Sequence, residues 1–279
     1  MQLLPRYLYV AVIALEALSP RRGDAAFERV QLGARPIALG AASIALGNEP
    51  WCVLANPGLV SSVRSPVISV FFAPQPFGIS GLARSAVVIV DPLSFGSIGL
   101  AGSTFGFDLY RETVVTATVG AALGRKFRAG VSAEFNHLRI QGYGSASTAG
   151  FSAGMVAQLN ENLSWAAAVC NINRPLLGRT GEPLPQTVAT GILFQPVREG
   201  FFEIDLYKDI RYSPEVHVGA EYTILETLAL RAGSTTELST YSAGAGVSIG
   251  PLRFDYAATM HRELGLSHHI SVTAELGFF

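Results

Sequence analysis

Two sets of side chains in this 279-residue sequence have the types that hydrolysis needs: Ser213, His217 and Asp205, and Ser267, His269 and Asp255. A nucleophilic hydroxyl requires a histidine base beside it and an acid to orient that base. Neither set sits in the strand-to-helix elbow that exposes a catalytic serine. In a serine-rich chain with 5 His such triples arise by chance. A hydrolase is therefore only a remote alternative, and we expect no enzyme.

Metal chemistry fares no better. His261, Glu263, His268 and His269 are ligand types, but their spacing spans a turn between two alternating segments. Cys52 and Cys170 lie far apart with no nearby His, which argues against a Cys/His site. They read as two small buried residues; pairing stays open should the stretch around Cys52 touch the wall near Cys170. We expect no metal and no cofactor.

The remaining charged candidates form a row. Glu203, Asp205, His217, Glu221, Arg231, Arg253, Asp255, His269 and Glu275 occupy alternate positions in the last six apolar-polar segments. From Leu266 to Phe278 the even positions are Leu, His, Ile, Val, Ala, Leu and Phe, with Ser, His, Ser, Thr, Glu and Gly between them. The same period of two marks Leu252–Met260, Tyr241–Ile249, Val216–Tyr222 and Phe202–Leu206. A period of two is the signature of strands. These segments exceed the roughly five or six residues of an average soluble strand and suit the ~9–11 of a tilted membrane strand.

Bulk composition decides which solvent the apolar face meets. Hydrophobic residues make up 49% and charged residues 15%, against about 25% charge in soluble domains. Net charge is −1 and the pI is near 6.5, so no basic field invites nucleic acid. Beyond the first residues no apolar run reaches the ~18 residues of a helical span. A closed β-barrel is the remaining membrane solution. Outward-facing, the charged row would cost up to roughly 2–4 kcal/mol per residue at the bilayer midplane, so it must line the lumen.

From Ser65 onward about fourteen segments follow, each with its turn taking about fifteen residues, which is barrel spacing. We therefore expect an all-β fold, a transmembrane antiparallel barrel of about 14 strands. Side chains fill a barrel of about eight strands, whereas sixteen to eighteen leave a channel. Something must then occupy this lumen. Gln31–Ser62, rich in Gly, Ala and Pro and without alternation, has the right size. Residues 1–26 read as a signal peptide, with an apolar run from Leu8 to Leu18 and small residues at Ala25 and Ala26. That gives three parts: 1–26 signal peptide, 27–64 lumenal segment and 65–279 barrel. The loop Asn171–Gln186 is the longest irregular connection and the best candidate for a surface contact.

The same stretch carries a resemblance. Leu32-Gly-Ala-Arg-Pro-Ile-Ala-Leu-Gly40, Ala45-Leu-Gly-Asn-Glu-Pro50 and Asn56-Pro57-Gly58-Leu59 resemble the N-terminal signature of the PorV/PorQ family, outer-membrane proteins related in architecture to the FadL transporters. Val218–Tyr222, Leu228–Gly233 and Leu252–Ala257 resemble that family's closing strands. The resemblance implies a fourteen-stranded barrel in the bacterial outer membrane. Its N-terminal hatch would be anchored through Arg35, Asn48, Glu49, Asn56, Pro57 and Gly58. One residue is missing from the family's Asn-Pro-Ala-Gly-Leu, and Asn48-Glu49 replaces an acidic pair. The terminal Phe278 and Phe279 resemble the aromatic signal that the barrel assembly machinery reads. The implied partners are outer-membrane lipid, that machinery, and a secretion translocon or a hydrophobic ligand. The implied function is a transport or type IX secretion-associated component, with a FadL-like channel for hydrophobic molecules such as fatty acids as the alternative. An outer-membrane hydrolase remains the remote third.

Overall fold

The computed structural model describes residues 26–28, 31–179, 181–236 and 240–278. The signal peptide expected at 1–26 therefore lies almost wholly outside the described residues, as does Phe279. Fourteen strands close into one antiparallel barrel. In chain order the first seven are β1 (Val67–Ala73), β2 (Arg84–Leu93), β3 (Gly96–Phe107), β4 (Tyr110–Ala122), β5 (Phe127–Ile140), β6 (Gly144–Asn160) and β7 (Leu163–Cys170). A two-stranded hairpin follows, β8 (Leu176–Leu177) with β9 (Glu182–Pro183). The wall resumes with β10 (Thr187–Val197), β11 (Gly200–Asp209), β12 (Glu215–Leu225), β13 (Leu228–Thr235), β14 (Thr240–Ile249), β15 (Leu252–His261) and β16 (Gly265–Glu275).

Each barrel strand pairs with its sequence neighbours. The cylinder shuts where β1 meets β16, from Val67 opposite Glu275 to Phe72 opposite Ile270. Closure leaves no free edge, as lipid demands, because an unpaired backbone amide has no water to turn to. Among the described residues the ladders run without a break around the wall, with register shifts only near the ends of β6, β10 and β12.

The alternation sets which side chain meets which medium. On β11, Phe202, Ile204 and Leu206 are 55%, 55% and 48% exposed, while the intervening Glu203 and Asp205 are 0% and 1%. A water-soluble sandwich would show the reverse. Val131 and Phe135 on β5, Phe254 and Tyr256 on β15, and Leu266 and Ile270 on β16 continue this exposed apolar surface around the barrel. An even-numbered antiparallel barrel with an apolar exterior is the architecture of the bacterial outer membrane, and that is where this chain resides.

One difference concerns the last strand. The alternation read to Phe278 stops as a strand at Glu275, and Leu276–Phe278 form a 3-10 turn. The Leu276 N–H donates to the Pro66 carbonyl at 2.7 Å, so the tail folds back onto the chain entering β1. Phe278 is in that turn, past the end of the strand.

A second difference is the 171–186 connection. It folds inward: Leu177 and Leu184 are buried and pack with Phe27 and Leu138. The amide of Asn171 donates to the Pro185 carbonyl at 2.7 Å, pinning the two ends of the loop together. Its two buried leucines sit at the barrel mouth, while Ile172, Asn173, Arg174, Leu176 and Pro183 stay exposed, so the loop also keeps the outer surface expected of it.

Candidate functional site

Residues 31–64 contain two short helices, α1 (Ala34–Ala38) and α2 (Cys52–Ala55), and a 3-10 turn, Pro57–Ser62. They lie against inward-facing residues on opposite sides of the barrel. α1 packs on β13, β14, β15 and β16, while the 3-10 turn packs on β3, β4, β5 and β6. The segment therefore crosses the lumen from wall to wall.

Two glycine platforms permit this approach. On one wall Gly120, Gly130 and Gly154 stand in register across β4, β5 and β6. A Cβ at Gly130 would run into the Pro57 carbonyl, and one at Gly154 into Asn56 Oδ1. Asn56, 0% exposed, ties the contact down: its Oδ1 accepts from Gly58 N at 3.0 Å, and its Nδ2 donates to the carbonyls of Ile44 at 2.8 Å and Met155 at 3.3 Å. On the other wall Gly219 and Gly233 are paired across β12 and β13 beneath Leu39 and Gly40.

Between these platforms the charges close into a ring. Arg35 bonds Glu49 at 3.1 Å and holds Glu221 through two nitrogens at 2.7 and 2.8 Å. Glu221 meets Arg231 at 2.5 Å, and Arg231 meets Asp255 at 2.8 Å. Arg253 completes the circuit, 2.8 Å from Asp255 and 3.0 Å from Glu49. Three guanidinium and three carboxylate groups thus alternate with no net charge. Arg35 and Glu49 come from the crossing segment, and β12, β13 and β15 supply the others. Burial opposes the charge on Arg35, but the Glu221 and Glu49 carboxylates outweigh it and raise the guanidinium pKa above its ordinary value. Fixed bidentate geometry makes such a ring a specifier of position more than a source of net stability.

Glu203 and Asp205 hold the segment differently. Asp205 Oδ2 accepts the backbone N–H groups of Ser43 and Ile44 at 2.7 and 3.0 Å, and Glu203 Oε1 that of Ala45 at 2.6 Å. His217, opposite Asp205 across β11 and β12, hydrogen-bonds the Ala41 backbone and stacks on Tyr207 with its Nε2 3.4 Å from Glu215. His269 stacks on Phe71 and bonds Thr259 at 3.1 Å. Glu275 is exposed at the strand end, 3.3 Å from Ser65. Of the nine polar-row residues the ring thus gathers four, the segment's backbone engages Glu203, Asp205 and His217, and His269 and Glu275 stand apart. Among the segment residues Asn48 is exposed, with only its backbone N–H donating to Ser62 Oγ at 2.9 Å.

In the first serine set Asp205 stands opposite His217 across β11 and β12, but its carboxylate is taken by the Ser43 and Ile44 amides. Among the described residues no group of three ligand-type side chains could hold a metal. Asp255 is committed to two arginines, and Ser267 Oγ accepts from Phe77 N at 2.9 Å. Gly150-Phe-Ser-Ala-Gly154 has elbow spacing but lies wholly within β6. His261 Nδ1 accepts the N–H groups of Glu263 and Leu264, which makes it a turn residue. Cys52 and Cys170 are buried and free, and burial together with the Glu49 carboxylate pushes the Cys52 thiol pKa up.

A cleft of about 110 Å³ opens near the barrel mouth between the crossing segment and the wall. It is bounded by Phe27 and Leu32 of the segment, Arg84 of β2, Glu112 of β4, Asn136 of β5 and Leu184 of the inward loop. Glu112 Oε1 receives the Phe27 N–H at 3.1 Å and the Tyr110 hydroxyl at 2.6 Å, so it anchors the start of the segment here. Sequence reasoning missed Glu112, Ser271, which receives the Ala34 N–H at 2.9 Å, and both platforms. Their signal is inter-strand register, which a one-dimensional pattern does not carry.

Solved structures share this arrangement of strands. A Pseudomonas aeruginosa FadL homologue matches with a TM-score of 0.59 at 13% identity, over 84% of this chain and 96% of its own. The P. putida toluene transporter TodX matches at 0.64 with 12% identity, over 88% and 98%. CymD, a monoaromatic hydrocarbon channel, matches at 0.63 with 12% identity, over 90% and 99%. The chain has the FadL-like barrel fold. No family model and no curated protein matches the sequence. At 12–13% identity the likeness is one of fold.

Proposed function

We propose that this FadL-like barrel is a plugged outer-membrane channel for small, largely apolar molecules, with residues 27–64 as its hatch. The observation that carries the reading is the mouth cleft, wedged between the crossing segment and the wall. Outer-membrane barrels keep short turns on the periplasmic side and longer loops outside. Here the longest connections, 74–83 and 171–186, lie at the end opposite the entry to β1. The cleft then faces the exterior, and the ring and platforms stand between it and the periplasm. Residues 1–26 direct export, and the aromatic tail serves the assembly machinery.

The experiment is uptake of labelled toluene and fatty acid by cells with an intact lipopolysaccharide outer membrane. Several-fold faster entry of either probe in cells expressing the chain is the expected result. Equal rates with and without the protein at the surface would overturn the reading. A second reading, the PorV/PorQ-type secretion accessory, draws on the Asn56-Pro57-Gly58-Leu59 motif and on an unbroken wall ladder without a lateral gap. A large translocon copurifying after gentle detergent extraction would favour it.

A further inference from the structure

We infer that the mouth cleft binds an uncharged single-ring alcohol, a phenol, in preference to a hydrocarbon or a carboxylate. The inference rests on the channel reading and names its substrate class.

The cleft is not an apolar pocket. Gln31 Nε2, Thr116 Oγ1, Asn136 Nδ2 and Asn171 Oδ1 all belong to residues lining it, and each atom is buried without a hydrogen-bond partner. Thr116 is 0% and Asn136 3% exposed. Native interiors satisfy nearly all such groups, so a cluster of orphans around one cavity marks a missing partner. Amide groups and a hydroxyl together offer both donors and acceptors. A ligand hydroxyl, which does both, meets that pattern.

The rest of the lining decides the remainder of the molecule. Phe27, Leu32, Leu54, Val114 and Leu184 supply an apolar side. The cleft, about 110 Å³ and open at the mouth, is smaller than the roughly 150 Å³ engineered cavity that takes up benzene, so it admits at most one ring, whose substituent must reach toward the opening. Charge excludes an anion. Glu28, Glu112 and Glu134 line the cleft against one cation, Arg84, whose guanidinium already lies 4.0 Å from the centre of the Phe105 ring. A saturated hydrocarbon or toluene would fill the space but leave every orphan unpaired, the costly outcome for buried polar groups.

The test uses the full-length protein in lipid nanodiscs, with p-cresol, toluene and benzoate as probes, followed by saturation-transfer NMR and calorimetry. At neutral pH a phenol is uncharged, since its pKa is near ~10. The expected result is cresol binding at least ~10-fold tighter than toluene, with benzoate weakest. Asn136→Leu and Thr116→Val, tested separately so that one folded variant suffices, should each cut cresol affinity about 10-fold and leave toluene unchanged or tighter. Equal affinity for cresol and toluene, tighter benzoate, or no binding at all because water alone fills the cleft would each overturn the inference. Toluene uptake by cells alongside absent cresol binding sinks this inference alone; loss of both sinks the channel reading with it.

Discussion

Arg231 is the residue on which the ring turns. Its side chain is 2% exposed and bridges Glu221 and Asp255, which reach it from β12 and β15. Arg231→Met keeps most of the volume but strands two carboxylates at membrane depth. Breaking a buried pair on one side costs about 3–5 kcal/mol. We expect a clearly lower thermal unfolding temperature in detergent, and the loss should shrink when Glu221→Gln is added. The same variant at an exposed pair, Arg111 with Asp108, should change almost nothing. Glu221, Arg231, Arg253 and Asp255 were legible as lumen candidates because a charge on an alternating strand cannot face lipid, whereas Arg35 entered through the family resemblance. Their closure into one circuit was not, since it depends on how far β12 and β15 slide past each other.

At the scale of elements, the 3-10 turn Pro57–Ser62 depends on a wall with no side chains beneath it. Gly130→Val would push a branched side chain into the Pro57 carbonyl. Overpacking of that kind costs typically about 1–3 kcal/mol, and it falls on the turn's seat while the β4–β5 ladder survives. The expected outcome is a folded barrel with larger or more frequent conductance steps in planar bilayers. Unchanged conductance with an intact barrel would show that the segment does not obstruct the pore. Strand positions were readable almost throughout, because two-residue alternation is a local property. The glycines of β4, β5 and β6 were not, for a glycine in a strand says nothing until its cross-strand neighbours are known. The loop 171–186 was only half readable for a related reason: three prolines announce irregular backbone, and only the buried Leu177 and Leu184 reveal that part of it folds inward.

For the whole molecule, the closed ladder and the apolar exterior imply resistance to detergent until heat breaks the cylinder. Unheated protein in dodecyl sulfate should migrate ahead of the boiled chain on a gel, and the mature protein should precipitate when detergent is withdrawn. A stable soluble monomer would contradict the barrel. The crossing segment adds a constraint of a different kind, on the order of assembly. Ala34 finds Ser271, 237 residues away, and Glu49 finds Arg253, 204 residues away. Contacts so distant in sequence form slowly, and a segment that precedes every barrel strand must wait for nearly the last of them. Until β12, β13 and β15 are in place, Arg35 and Glu49 have only water for company, which costs them little. Once β1 zips onto β16, the hydrogen-bonded wall closes the sideways route and leaves the segment only the barrel's open end. Seating before the seam shuts avoids threading helices and a charged pair through that end, so closure of the seam and burial of the segment are coupled events.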